Sequence, residues 1–304
     1  MIYSLSWLMW IIIPSCFYVV LSKRGWIRKL AFALLVPFVL LFYGRFIEPN
    51  LLLVERHSFP APFKIKIALI GDVHVGLFSS DERLSRLIER LNALDVDEVW
   101  VAGDWTYLPP FDMKTVFSVW SQLRHPVFSV PGNHDAQRPG PPLQQSLRRA
   151  LQDNGVEYLE NTIEARDGFS LLGLGSAWAL EAHYQLVHHV HAKSPLLVLA
   201  HNPDVANFFP KPAFLTLAGH THGGQVDLPW LTQRVLSKVT MAGVKEGWYQ
   251  TPNGPMFVTR GIGMVGLPVR FRSVPVIDVI ELYPGAPMPL LQDATVIKGR
   301  FGGW

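Results

Sequence analysis

Five short polar segments punctuate a chain otherwise rich in apolar residues: Asp72-Val73-His74, Gly103-Asp104, Gly132-Asn133-His134-Asp135, His201-Asn202 and Gly219-His220-Thr221-His222. Most of them directly follow a run that reads as a buried strand. Lys64-Ile65-Lys66-Ile67-Ala68-Leu69-Ile70 alternates and then turns wholly apolar before Gly71-Asp72, as expected of a strand entering a sheet covered on both faces. Residues 99–102 run into Gly103-Asp104 and 127–130 into Pro131-Gly132-Asn133, while 169–173, 196–200 and 214–218 repeat the theme. In α/β sheets the loops at the carboxyl ends of strands gather on one edge. The pattern therefore calls for a fold that converges distant residues on one site, with enough nitrogen and oxygen ligands for two metal ions.

Between these strands, residues 81–94 place Leu84, Leu87, Ile88 and Leu91 on one helical face, with Asp81 as the expected N-cap. The chain has 304 residues and is 49% apolar, ample for a buried core. Its net charge of +3 does not indicate nucleic-acid binding: Lys23, Arg24, Arg28 and Lys29 form one N-terminal cluster, and without them the chain stands at −1. The single cysteine, Cys16, excludes intramolecular disulfides and thiolate metal sites.

The N-terminus has a character of its own. Residues 1–22 are almost wholly apolar, long enough at ~1.5 Å per residue to cross a hydrocarbon core of about 30 Å. A second run, 30–43, is shorter and carries Pro37. We expect two membrane spans rather than a cleaved signal, because no basic residue precedes the first apolar run. The basic cluster between the runs should stay cytoplasmic, which places the following domain on the outer face; a single span would invert that. The expected organisation is a membrane anchor over 1–44, one α/β domain over 45–284 and a C-terminal tail over 285–304.

Taken singly the motifs differ in weight. Asp-x-His and Gly-Asp are ordinary, Gly132-Asn133-His134-Asp135 is rarer, and Gly219-His220-Thr221-His222-Gly223-Gly224-Gln225 is rarer still. In this order the chain resembles the calcineurin-like metallophosphoesterases, and within them a membrane-associated bacterial branch with Gly-His-Thr-His-Gly-Gly-Gln. The resemblance spans roughly residues 50–284. It implies a four-layer α/β/β/α sandwich of two mixed sheets and a place in the bacterial inner membrane. It further implies that Asp72, His74 and His222 hold one divalent ion, that Asn133, His201 and His220 hold a second, and that Asp104 bridges them. Manganese is the first choice, with iron or zinc compatible with the same donors. The implied reaction is attack by a hydroxide held between the ions on a phosphate ester. His134 would protonate the leaving oxygen, and Asp135 would fix the His134 tautomer.

The substrate is expected to be a lipid-linked or cell-envelope phosphodiester or pyrophosphate. That expectation rests on the anchor and on apolar segments around Trp105, Tyr107, Leu108 and Phe111 and over Val226-Asp227-Leu228-Pro229-Trp230-Leu231, which would admit acyl chains. The alternatives are a phosphomonoesterase, including a protein phosphatase; a UDP-2,3-diacylglucosamine hydrolase, if the domain faces the cytoplasm; and a non-catalytic membrane scaffold. Arg260 and Arg270 are candidate phosphate clamps, with structural ion pairing the competing reading. His183, His188, His189 and His191 are read as a helical surface outside the site.

Overall fold

The structure, a computed structural model, describes residues 2–109, 112–136, 143–191, 193–241, 243–285 and 295–296. Phe111 and most of the tail from 286 onward lie outside the described residues.

Two mixed sheets lie face to face. The first is built from β1 (Leu53–Ala61), β2 (Ile65–Ile70), β4 (Glu98–Val101), β6 (Val127–Ser129), β7 (Val156–Tyr158) and β14 (Val276–Pro284), in the order β1-β14-β2-β4-β6-β7. The second is built from β8 (Thr162–Arg166), β9 (Phe169–Gly173), β10 (Leu196–Leu199), β11 (Leu215–Ala218), β12 (Gly247–Thr251), β13 (Gly254–Val258) and β15 (Thr295–Val296), in the order β15-β12-β13-β11-β10-β9-β8. A short parallel ladder of β3 (Val75–Gly76) and β5 (Thr106–Tyr107) stands apart from both.

The two-residue period of a strand explains the layers. Ile67 and Leu69 of β2 join Trp100, Phe128, Leu171, Leu197, Leu199, Leu217 and Phe257 in the seam between the sheets. Ala68 and Ile70 face the other way, onto Leu84, Leu87, Ile88 and Leu91 of the helix Asp81–Asn92 and Leu147 and Leu151 of the helix Gln144–Gln152. The second sheet is covered by thinner material, the 3-10 turns Tyr184–His189 and Pro203–Asn207, with Val187, Val205 and Phe209 over Leu172, Leu196 and Val198. The result is the expected α/β/β/α sandwich. One local expectation fails: the N-cap of Asp81–Asn92 is Ser80, whose hydroxyl accepts from Arg83 N. Asp81 instead occupies the first helical turn, where its charge complements the helix dipole.

The N-terminal region is a pair of helices, Met9–Ser22 and Gly25–Phe42, joined at Lys23-Arg24. Trp7 and Trp10 near its start meet Phe46 and Phe42 near its end (ring centroids 5.2 and 5.0 Å), so the helices run antiparallel. The two apolar runs exchange the ranks the sequence suggested. Among the described residues, Gly25–Asn50, largely unburied, is the helical stretch long and apolar enough to cross a membrane, whereas Ser6–Ser22 is shorter. The second helix continues through a π turn, Tyr43–Ile47, and a 3-10 turn, Glu48–Asn50, straight into β1.

This continuation clamps the helix pair to the domain. Arg270 N donates to Gly44 O (2.9 Å), Ser273 N to a buried Glu48 oxygen (2.6 Å), and the Arg83 guanidinium to Pro49 O (2.9 Å).

Candidate metal centre

Each polar motif occupies the loop at the carboxyl end of its strand: Asp72 and His74 after β2, Asp104 after β4, Asn133 after β6, His201 after β10, His220 and His222 after β11. Five of these residues, Asp72, His74, Asp104, His220 and His222, hold φ between 50° and 76°. That left-handed region is disfavoured for side chains with a Cβ, though Asn, Asp and His enter it most readily, and such strain gathers at functional sites. The turns are also tight. A Cβ at Gly132 would overlap the Asp104 carboxylate, so only glycine lets that backbone pass.

The loops assemble two adjoining triads. Ligand-capable atoms of Asp72, His74 and His222 lie within 4.8 Å of one another, and so do those of Asp104, His201 and His220. Asp104 stands between them, its Oδ2 3.3 Å from His201 Nε2 and 3.6 Å from His74 Nε2. Asn133 Oδ1 joins the second group, 3.0 Å from His201 Nε2. All seven residues are thus in one place.

Backbone carbonyls decide which ring nitrogen of three histidines faces inward, because a carbonyl can only accept. His74 Nδ1 donates to Thr106 O (3.1 Å), His201 Nδ1 to Ala102 O (2.8 Å) and His220 Nε2 to Val239 O (3.0 Å). The lone pairs of His74 Nε2, His201 Nε2 and His220 Nδ1 therefore point into the cluster. His201 Nε2 and His220 Nδ1 face each other at 3.0 Å, an arrangement that requires a proton or a cation at the pair. His222 differs: its Nδ1 faces the Arg270 guanidinium at 3.5 Å and its Nε2 lies 3.3 Å from Asp72 Oδ1. That Oδ1 is buried with no hydrogen-bond partner, while Oδ2 accepts from His220 N. An orphaned buried carboxylate oxygen beside converging imidazole lone pairs fits divalent cations.

The electrostatics agree. Burial pushes Asp72 up to about 7, holds His74 down to about 4 and His220 down to about 3, and drives His222 well below the usual imidazole range. Asp104 is desolvated too, yet the charge and hydrogen bond of His201 and the charge of His74 carry it well below the ordinary carboxylate range. For His201 desolvation acts downward, but the adjacent Asp104 outweighs it and lifts the imidazole to about 9.

His134 sits at the edge of this cluster, half-buried, its N–H on Asp104 Oδ1 (2.9 Å) and its ring 5.2 Å from His74 and 5.3 Å from Tyr107. Asp135 does not serve it. The fully buried Asp135 carboxylate accepts from Gly132 N, Trp105 N, Thr106 N and Thr106 Oγ1 (2.9–3.1 Å). Its capacity is spent on fastening the Asn133 turn to the Asp104 loop, which corrects the expectation of a tautomer-fixing partner. Arg260 and Arg270 are likewise occupied. Arg260 pairs with Glu55 and Glu246 and donates to Val274 O, and the fully buried Arg270 donates to Gly263 O, Ser273 O and Arg260 O.

Among the rim residues Trp105 is core, packed on Phe117 and Trp120, whereas Leu108 and Trp230 are exposed. His183, His188, His189 and His191 are exposed in and around the turn Tyr184–His189. Two neighbours of the site gave no sequence signal: Glu48, remote in the chain, and Trp178, whose ring lies 5.0 Å from His220.

The chain belongs to the family described as calcineurin-like phosphoesterase, whose pattern matches residues 65–233. Phosphodiesterase YaeI of Escherichia coli (strain K12) is 30% identical over an alignment covering 79% of this chain and 92% of that protein. Uncharacterized metallophosphoesterase YkuE of Bacillus subtilis (strain 168) is 28% identical, covering 79% and 88%. UDP-2,3-diacylglucosamine pyrophosphatase LpxG of Chlamydia muridarum (strain MoPn / Nigg) is 22% identical, covering 81% and 93%. The chain is a phosphoesterase of a family that uses divalent metals, and it carries two candidate metal-binding triads.

Proposed function

We propose that this chain is a membrane-anchored, binuclear metal-dependent phosphodiesterase or pyrophosphatase whose substrate is a lipid-linked or cell-envelope phosphate ester. The observation that carries the reading is Asp104, a member of the second triad, lying within 3.6 Å of His74 of the first as well as 3.3 Å from His201 of its own. Asp72, His74 and His222 would hold one ion and Asn133, His201 and His220 the other, with Asp104 able to serve both. Once bound, the pair supplies Lewis acidity toward the phosphoryl oxygens and a water acidic enough to react near neutral pH. The protein's own part is to keep three imidazoles in the metal-accepting tautomer through Thr106, Ala102 and Val239 and to present His134 at the cluster's edge as the proton donor to the leaving oxygen. The helices of residues 9–42 are the anchor.

The test is hydrolysis of bis-para-nitrophenyl phosphate by the full chain in detergent with manganese, beside Asp104→Ala. Turnover by the parent and none by the variant, with metal content reduced, is the expected result. Near-normal turnover by Asp104→Ala would refute the two-ion assignment. Mono- but not bis-ester hydrolysis would move the reading to a phosphomonoesterase.

The name of the Chlamydia relative supports a narrower substrate, the pyrophosphate of a diacylated sugar nucleotide. A cytoplasmic substrate of that kind requires the domain on the cytoplasmic face, against the basic cluster between the helices, and a reporter fused to the C-terminus decides between the two.

A further inference from the structure

The helix Pro229–Val239 is tied to the metal cluster at both ends. Near its start, the Thr232 side chain packs against Gly224 of the His222 turn; at its end, Val239 O accepts the hydrogen bond from His220 Nε2 (3.0 Å). Its inward face is Thr232 and Leu236. Its outward face carries Trp230, 69% exposed, with Arg234, Val235 and Lys238, all exposed, and its eleven residues, Pro-Trp-Leu-Thr-Gln-Arg-Val-Leu-Ser-Lys-Val, include no acid. The nearest carboxylate in the preceding turn, Asp227, is neutralised by Lys245 (2.9 Å). A tryptophan and a valine among cations, with no ion pair to them among the described residues, are what a helix resting in the headgroup layer of an anionic bilayer would present.

Near the His220 end of the helix, two further apolar residues are exposed. Beside His220, Trp178 is 52% exposed, and Leu180 is 89% exposed with φ +58°. A leucine both strained and solvent-facing is costly in water and suited to lipid. The helix is also connected to the anchor: Asp227 N and Phe271 O, then Phe271 N and Gln225 O, join its leading turn to the loop whose Arg270 N bonds Gly44 O, and Phe271 meets Tyr43 edge-on.

We propose that the helix Pro229–Val239, with Trp178 and Leu180 beside it, is a second membrane contact that rests on the anionic bilayer surface around the anchor and sets the mouth of the metal cluster against lipid headgroups. This rests on the membrane-anchored reading above. Because Val239 O holds the His220 tautomer, docking of the helix bears directly on the cluster.

The test places an environment-sensitive fluorophore on full-length Cys16→Ser protein through Trp230→Cys, Lys193→Cys or Trp26→Cys. Each is reconstituted in phosphatidylcholine–phosphatidylglycerol vesicles containing lipid with a spin-label quencher near the headgroup. Lys193 precedes β10, at the end of that strand away from His201; Trp26 is an exposed residue of the anchor. The expected result is quenching at Trp230→Cys and at Trp26→Cys but not at Lys193→Cys, with the Trp230→Cys signal relieved by Arg234→Glu and Lys238→Glu together. Quenching at Trp26→Cys without quenching at Trp230→Cys overturns the second contact and leaves the anchor standing. Absence of quenching at Trp26→Cys removes both.

Discussion

Glu48 offers a direct test of whether the anchor is structurally part of the catalytic domain. Its side chain is buried, and one oxygen accepts from Ser273 N at 2.6 Å. Ser273 in turn donates its hydroxyl to His222 O (2.7 Å) and offers its carbonyl to Arg270. Glu48→Ala leaves a buried N–H unpaired and removes a charge-assisted acceptor, a loss of about 2–3 kcal/mol. For a domain of this size that lowers the melting temperature by about 4–12 °C. Glu48→Gln, which keeps an acceptor oxygen, should lose about half as much. The assay is thermal unfolding of the detergent-solubilised, manganese-loaded protein, with metal affinity measured alongside. Because the loosened segment holds the His222 carbonyl, affinity should weaken as well. A chain beginning at Asn50 lacks Glu48 and the Gly44 carbonyl together and should fare worse than Glu48→Ala. If Glu48→Ala melts with the parent and binds metal equally well, the clamp is incidental and the domain is independent of its anchor.

Three further outcomes are expected. His134→Ala should keep both ions and lose roughly 10²- to 10⁴-fold in turnover, the span of a missing general acid; metal loss on analysis would make it a ligand instead. Asp135→Ala, which orphans three backbone N–H groups, should unfold at markedly lower temperature, and a variant with unchanged stability but an altered pH–rate profile would restore a role as the partner of His134. Burial raises the Asp204 carboxyl to about 6 against the opposing hydrogen bond from Met241 N. The folded state therefore binds this proton more tightly than the unfolded one, so its contribution is complete below about pH 4 and is lost as pH rises through 6. Between pH 5 and 7.5 the parent should lose about 1.4 kcal/mol of stability relative to Asp204→Asn, and parallel behaviour of the two would contradict it.

The strands ahead of the polar motifs were legible because each is a short apolar run stopped by a glycine or a polar turn, as at Ile70-Gly71 and Val101-Ala102-Gly103. The outermost elements were not. β1 pairs in parallel with β14 across more than two hundred positions, and its Leu-Val-Glu-Arg-His-Ser sequence alternates too weakly to announce a strand. The convergence of the strand-end motifs followed from their placement after apolar runs, and the particular seven residues from the family resemblance. Asp135 was misread because adjacency in sequence suggested adjacency of side chains, whereas the Gly132 turn directs its carboxylate back onto the Trp105 loop. The second apolar helix was ranked lower for its shorter run and for Pro37, and the turns that prolong it to Asn50 carry Arg45 and Glu48, which a hydropathy reading treats as its end.

The carbonyls that orient His74, His201 and His220 belong to Thr106, Ala102 and Val239, and a main-chain oxygen survives any change of its own side chain. Imidazole orientation here is thus written into path length rather than residue identity. The acceptor itself does not depend on side-chain identity, although the buried Ala102 and the Asp135-bonded Thr106 are constrained for other reasons, whereas inserting or deleting a single residue in the 102–106 loop or near the end of the helix Pro229–Val239 would turn a ring out of place. Natural variation among such sites should accordingly be strict in loop length.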